Sequence, residues 1–128
     1  MTVPLSRILY VDDEVILQKV VRISLEKLGG FTVAVAGSGE EALEAIPAFR
    51  PDLILLDVMM PGMDGPDTLA ALRADSATRG LPVIFITAKA QAEEIGRFHS
   101  LGVADVITKP FEPADLVAQI RRVWAALQ

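Results

Sequence analysis

Five short apolar runs punctuate the chain, and the stretches between them switch to helical spacing. The runs are Arg7 to Val11, Phe31 to Val35, Asp52 to Leu56, Pro82 to Ile86 and Asp105 to Thr108. Three of them are almost continuously apolar rather than alternating, as strands are when both faces are covered in a parallel sheet. Between the first two runs, Leu17, Val20, Ser24 and Leu28 fall at helical spacing with Val21 and Leu25 beside them, which predicts one broadly apolar side. Gly29-Gly30 ends that helix. Ser38-Gly39-Glu40-Glu41 has the form of a capping box ahead of Ala42, Leu43 and Ile46. Leu69 with Leu72, and Ile95 with Phe98, mark the third and fourth helices, and Glu112-Pro113 opens a fifth. Leu116, Ile120, Val123 and Leu127 are its expected buried face. Strand and helix alternate without a hairpin signal, and each connection is long enough for a crossover, so the prediction is a doubly wound α/β fold of five parallel strands and five helices.

Composition narrows the picture. At 128 residues and 52% hydrophobic, the chain has the material for one domain with a real core. The longest uncharged apolar run, Leu81 to Ile86, is strand-sized, so no membrane span is expected. The amino terminus lacks a basic segment followed by a cleavable apolar stretch, and a cytoplasmic location is expected. With no cysteine, disulfides and thiolate metal sites are excluded. Twelve Lys+Arg against seventeen Asp+Glu give a net charge of −5, from which direct nucleic-acid binding is not expected.

In a parallel sheet the carboxyl ends of the strands share one edge, where ligands bind. After the first run come Asp12 and Asp13; the third ends in Asp57, the fourth in Thr87, and the fifth leads to Lys109. Any one of these is at home as a strand-end or cap residue; together they place three carboxylates, a hydroxyl and an ammonium at one edge. Clustered carboxylates need a counter-charge, and an all-oxygen donor set suits Mg2+. Lys109 and Thr87 complement the oxygens of a phosphoryl group. Asp57, on the middle strand, is the natural nucleophile toward phosphorus.

These stretches resemble the receiver domain of response regulators, the phospho-acceptor module of two-component signalling, with its chemotaxis-regulator-like, flavodoxin-like fold and strand order 2-1-3-4-5. The segments that carry the resemblance are Ile8-Leu9-Tyr10-Val11-Asp12-Asp13-Glu14, the stretch from Asp52 to Gly65 through Asp57, Pro82-Val83-Ile84-Phe85-Ile86-Thr87-Ala88, and the stretch from Gly102 to Phe111 through Lys109-Pro110. The resemblance implies that Asp57 accepts a phosphoryl group from a phosphohistidine on a histidine kinase or a histidine phosphotransfer protein. It implies that Asp12, Asp13, Asp57 and the backbone carbonyl of Met59 hold Mg2+, that Thr87 and Lys109 bind the phosphoryl oxygens, and that the Lys109-Pro110 bond is cis. Gly62 and Gly65 are expected to let their loop pass close to the metal. The chain is then a phospho-acceptor that assists its own phosphorylation and dephosphorylation, not an enzyme acting on other substrates. Its output partner is expected to bind through the fourth and fifth helices.

One position departs from the family pattern. Where the family usually carries Tyr or Phe, this chain has Val106, with no ring to swing inward when Thr87 moves, so transmission is expected to depart from the usual threonine–aromatic coupling. Met59 and Lys89 flank the site at positions that influence phosphoryl lifetime in the family, and Lys89 reads equally well as a solvated lysine. His99, the sole histidine, reads as a surface helix residue; Trp124 reads as packing, with partner binding as the competitor. Arg121 and Arg122 read as solvated, and Tyr10 as a strand residue rather than a nucleophile. Residues 1–128 are expected to be a single receiver domain with no effector domain among them, standing alone or cut from a longer protein. A phosphorylation-independent interaction module is the alternative. An aspartate-nucleophile phosphatase of the haloacid-dehalogenase type lacks its Asp-x-Asp here, and a flavin carrier would meet repelling acids after the first strand.

Overall fold

β3 (Leu53–Asp57) and β4 (Val83–Thr87) are buried at every position, as unbroken apolar sequence requires of strands covered on two sides. They sit at the centre of a sheet completed by β1 (Arg7–Val11), β2 (Thr32–Ala36) and β5 (Asp105–Thr108). The computed structural model describes residues 3–88 and 91–128. All pairings are parallel, in the order β2-β1-β3-β4-β5, which is the expected doubly wound, flavodoxin-like arrangement. The crossovers are α1 (Val15–Lys27), α2 (Gly39–Phe49), α3 (Gly65–Ala74) and α4 (Ala92–Ser100), and α5 (Pro113–Ala126) closes the described chain.

Three strands begin and end one residue later than their apolar runs. The ladder sets these ends: Asp57 pairs with Ile86, and Thr87 with Thr108. The polar residues at the strand tips are thereby held in the sheet rather than in loops.

Side-chain alternation splits the core in two. Leu9, Val11, Leu56, Phe85 and Val106 face α2, α3 and α4; Ile8, Tyr10, Leu55, Ile86 and Ile107 face α1 and α5. In α1 the buried stripe is Val21 and Leu25 with Leu17 partly buried, whereas Val20 and Leu28 are exposed. The expected stripe was drawn at the wrong angle because this helix is apolar on two sides. Its outer side carries Ile16, Val20 and Ile23, with Ile16 80% exposed. In α5, Leu127 is likewise exposed, lying past the end of the helix that packs Leu116 and Ile120.

Caps follow local chemistry. Ser38 accepts from the Glu41 N–H as expected, but the Glu41 carboxylate takes the Gly37 N–H instead of closing the box. The reciprocal capping box is at α3, between Asp64 and Asp67. Gly62 is needed for its left-handed φ of +73°. Gly65 is needed for space, since a Cβ there would lie 2.8 Å from the Asp57 carbonyl oxygen and from the Val58 Cα. The close approach at Gly65 is to the backbone of the site: it seats α3 directly on the strand end that carries Asp57.

Val106 is buried opposite Phe85 in the ladder, and the ring that fills this part of the core comes from α4. Phe98 meets Phe85 edge-on, with centroids 5.3 Å apart and an interplanar angle of 85°, a favoured aromatic geometry. Phe98→Ala is expected to cost about 3–5 kcal/mol in denaturant unfolding. Val106→Phe, which adds a ring where one is already present, is expected to cost about 1–3 kcal/mol. The double variant should lose clearly less than the sum; strict additivity would show that the two sites do not share one space.

Candidate functional site

The strand tips bring the acidic residues together. Asp12 follows β1, its N–H still donating to the Ala36 carbonyl at 3.0 Å, and Asp57 is the last residue of β3. Asp12 and Asp57 are buried and Asp13 is exposed, and one carboxylate oxygen from each lies within 4.8 Å of the others. Lys109 reaches the same point from the far edge of the sheet. Its Nζ is 2.9 Å from Asp12 Oδ2, 3.4 Å from Asp57 Oδ1 and 3.8 Å from Glu14 Oε1. The Lys109-Pro110 bond is cis, and the Lys109 N–H donates to the Thr87 carbonyl at 2.8 Å.

Thr87, also buried, ends β4 beside Asp57's strand. By alternation it shares the face of Val83 and Phe85, while Asp57 shares that of Leu53 and Leu55. The hydroxyl and the carboxylate thus approach the sheet edge from opposite layers.

Burial and charge crowding together set the protonation of Asp57. Burial, reinforced by the neighbouring Asp12 charge, pushes the Asp57 carboxyl up to about 6, even though Lys109 pulls the other way. Burial works against the Lys109 ammonium, but its hydrogen bond to Asp12 and the charge of Asp57 outweigh that, and its pKa lies above the ordinary lysine value. Part of the counter-charge that the sequence demanded is therefore present in the protein itself. The donor set also fits a hard divalent cation, because all three groups offer oxygen and Asp57 is held in an environment that resists its ionisation without more positive charge.

Asp12 is the most heavily engaged member. Its Oδ1 accepts the Glu14 N–H at 2.9 Å, and its Oδ2 accepts both Lys109 Nζ at 2.9 Å and the Tyr10 hydroxyl at 2.6 Å. Tyr10 was read as a strand residue only; it is one, but it also contacts the site. Burial above all, then the hydrogen bond to Asp12 and the surrounding carboxylates, holds the phenol protonated by raising its pKa. The signal was in the sequence, since residue 12, just past the strand, keeps the alternation and points the same way as residue 10. Glu14, near Lys109, was also passed over.

Other positions lie away from this point. Trp124 is half-buried on α5, and its indole N–H donates to the Val3 carbonyl at 2.7 Å, pinning the amino-terminal segment. His99 is exposed, 3.9 Å from Asp105. Met59 is 61% exposed at the site's rim, and Lys89 falls outside the described residues.

The sequence matches the response regulator receiver domain family over residues 8–121. It is 45% identical over 116 residues to the DNA-binding response regulator MtrA of Mycobacterium tuberculosis, covering 91% of this chain and 49% of that protein. The transcriptional regulatory protein CseB of Streptomyces coelicolor is 37% identical over 118 residues, 92% of this chain and 49% of its own length. Among solved structures, the chemotaxis response regulator CheY4 of Vibrio cholerae is similar with a TM-score of 0.85 at 30% identity, covering 94% of this chain and 99% of that one. The N-terminal domain of a response regulator receiver protein from Methanoculleus marisnigri is 43% identical with a TM-score of 0.75, covering 94% and 97%.

The chain spans about half the length of the curated relatives it matches. These relatives overturn the exclusion of nucleic acid drawn from net charge, because MtrA is a DNA-binding response regulator. A net charge bears only on the surface that carries it, and this surface corresponds to about half of each relative. Among the described residues, no helix is long and apolar enough to cross a membrane. Sheet order, sequence match and shared shape agree, and the chain belongs to the response regulator receiver domain family.

Proposed function

We propose that this receiver takes a phosphoryl group onto Asp57 from a partner's phosphohistidine, with Mg2+ bound, and changes conformation in response. The observation that carries this reading is the convergence of Asp12, Asp13, Asp57 and Lys109 at one end of the sheet, with Thr87 on the adjoining strand tip. Asp12, Asp13, Asp57 and the Met59 carbonyl would hold the cation, which when bound supplies positive charge against the carboxylates and the incoming phosphoryl oxygens.

The Asp57 carboxylate attacks phosphorus, an O–P bond forms, and the P–N bond breaks. The electron pair leaves with the imidazole, which takes up a proton from solvent. Lys109 pairs with one oxygen of the new acyl phosphate and the Thr87 hydroxyl donates to another. Lys109 must give up its bond to Asp12 to do so, and Thr87 is drawn in from the opposite layer. These two movements couple the modification to the helices on both faces. With Val106 on β5, the aromatic part of that response would fall to Phe98 on α4 and its partner Phe85 on β4 rather than to β5.

Intact mass after incubation with acetyl phosphate and Mg2+ should show one added phosphoryl group on the wild type and none on Asp57→Asn. An unmodified wild type that binds beryllofluoride with Mg2+ no better than Asp57→Asn does would instead favour the phosphorylation-independent module.

The metal-free chain should also carry a signature of charge crowding. An Asp57 carboxyl raised to about 6 keeps a proton in the folded chain that the unfolded chain has already released. This contribution makes stability fall as pH rises from the ordinary aspartate range through about 6, the reverse of a salt-bridged acid. In chelator, Asp57→Asn should exceed the wild type in unfolding free energy by up to about 3 kcal/mol at neutral pH. The gap should close toward about pH 4. A gap independent of pH would contradict it.

A further inference from the structure

Asp12 Oδ2 has two donors of different kinds. One is the Lys109 ammonium, 16% exposed and also 3.4 Å from Asp57 Oδ1. The other is the hydroxyl of Tyr10, the chain's only tyrosine, whose side chain is 0% exposed. The two donors differ in their freedom. The Tyr10 ring is locked among the residues that β1, α1 and α5 pack together, including Ile8, Val21 and Leu116. Lys109 sits on a flexible stem between two carboxylates.

Phosphorylation at Asp57 would take Lys109 away from Asp12. If Lys109 were the only donor, its departure would leave Oδ2 of a fully buried carboxylate without a hydrogen-bond donor from the protein beside the cation, and that loss would oppose every transfer. We propose that Tyr10 is a positioning residue that keeps Asp12 Oδ2 hydrogen-bonded while Lys109 moves to the phosphoryl group. This rests on the phospho-acceptor reading above. A phenol suits the task on three counts. It is neutral, so it holds the oxygen without cancelling the negative charge at the acidic edge. It has no charge to draw it toward the phosphoryl group. Its packed ring cannot follow Lys109. A second ammonium at this place would fail the first two conditions, and an aliphatic residue would supply no donor.

The test separates hydroxyl from ring. Tyr10→Phe keeps the packing volume, and Mg2+ affinity and Mg2+-dependent beryllofluoride affinity are measured by titration calorimetry in wild type and variant. Mg2+ affinity should stay within about threefold, while beryllofluoride affinity falls about tenfold. In a Lys109→Ala background, where no ammonium departs, adding Tyr10→Phe should cause no further loss. Equal beryllofluoride affinities in wild type and Tyr10→Phe, equal losses for both ligands, or the same loss without Lys109 would each overturn the proposal. A wild type that binds no beryllofluoride would instead overturn the phospho-acceptor reading on which it rests. Should Tyr10→Phe not fold, the wild type labelled at tyrosine Cζ gives a single carbon signal. That signal should shift between the Mg2+ and Mg2+–beryllofluoride forms as the phenol becomes the sole donor to Oδ2. An unchanged signal would overturn the proposal.

Discussion

Like charges forced together at one end of a parallel sheet are the constraint around which the rest of this chain is arranged. Parallel pairing aligns all the strand carboxyl ends, so the adjacent carboxylates of Asp12 and Asp13 and the distant one of Asp57 come within 4.8 Å of each other. Asp12 and Asp57 are also cut off from water. Such an arrangement stores unfavourable electrostatic energy unless positive charge enters it. Lys109 supplies some, but burial together with the Asp12 charge outweighs it and keeps the Asp57 carboxyl raised. A cation, or any change that brings further donors to its oxygens, would relieve a site in that condition, and this is the physical basis of the proposed function.

The scaffold has to be stiff for that property to persist. A soft sheet would let the carboxylates separate. Here β3 and β4 are buried along their whole length, helices cover both faces, and α3 is seated on the Asp57 backbone by a glycine that tolerates no side chain. The Asp57 and Thr87 tips belong to the ladder itself. Relaxation is thereby confined to side chains with room to move, and Lys109 is the one placed between partners.

The sequence made the sheet and the acidic edge legible because both depend on gross features. Fully apolar runs mark buried strands, and polar residues that interrupt them mark the strand ends. It was less informative where two surfaces carry the same chemistry. In α1, Ile16, Val20 and Ile23 are as apolar as Leu17, Val21 and Leu25, so periodicity alone could not orient the helix. The capping pattern at Ser38 was real, yet Glu41 had a nearer donor in Gly37. Tyr10 was hidden for a different reason: its ring satisfies every expectation of a core strand, and only its hydroxyl, two residues from Asp12, touches the chemistry. Net charge misled because it was read as a property of a whole function rather than of one surface.

The two faces of the sheet hold different parts of the response. Tyr10, Asp57 and Ile107, which precedes Lys109 by two residues, share the α1–α5 layer by alternation, whereas Thr87, Phe85 and Val106 share the layer of α2, α3 and α4. A phosphoryl group on Asp57 would engage both layers at once, if Lys109 takes one of its oxygens and Thr87 another. On the proposed reading, neutralising the carboxylates with a cation would act mainly on the first layer. Drawing Thr87 inward would act on the second, where the Phe85–Phe98 contact ties β4 to α4. Metal binding and phosphorylation would then be separable in their structural consequences, although they would meet at the same aspartate, and α4 is the helix placed to tell them apart.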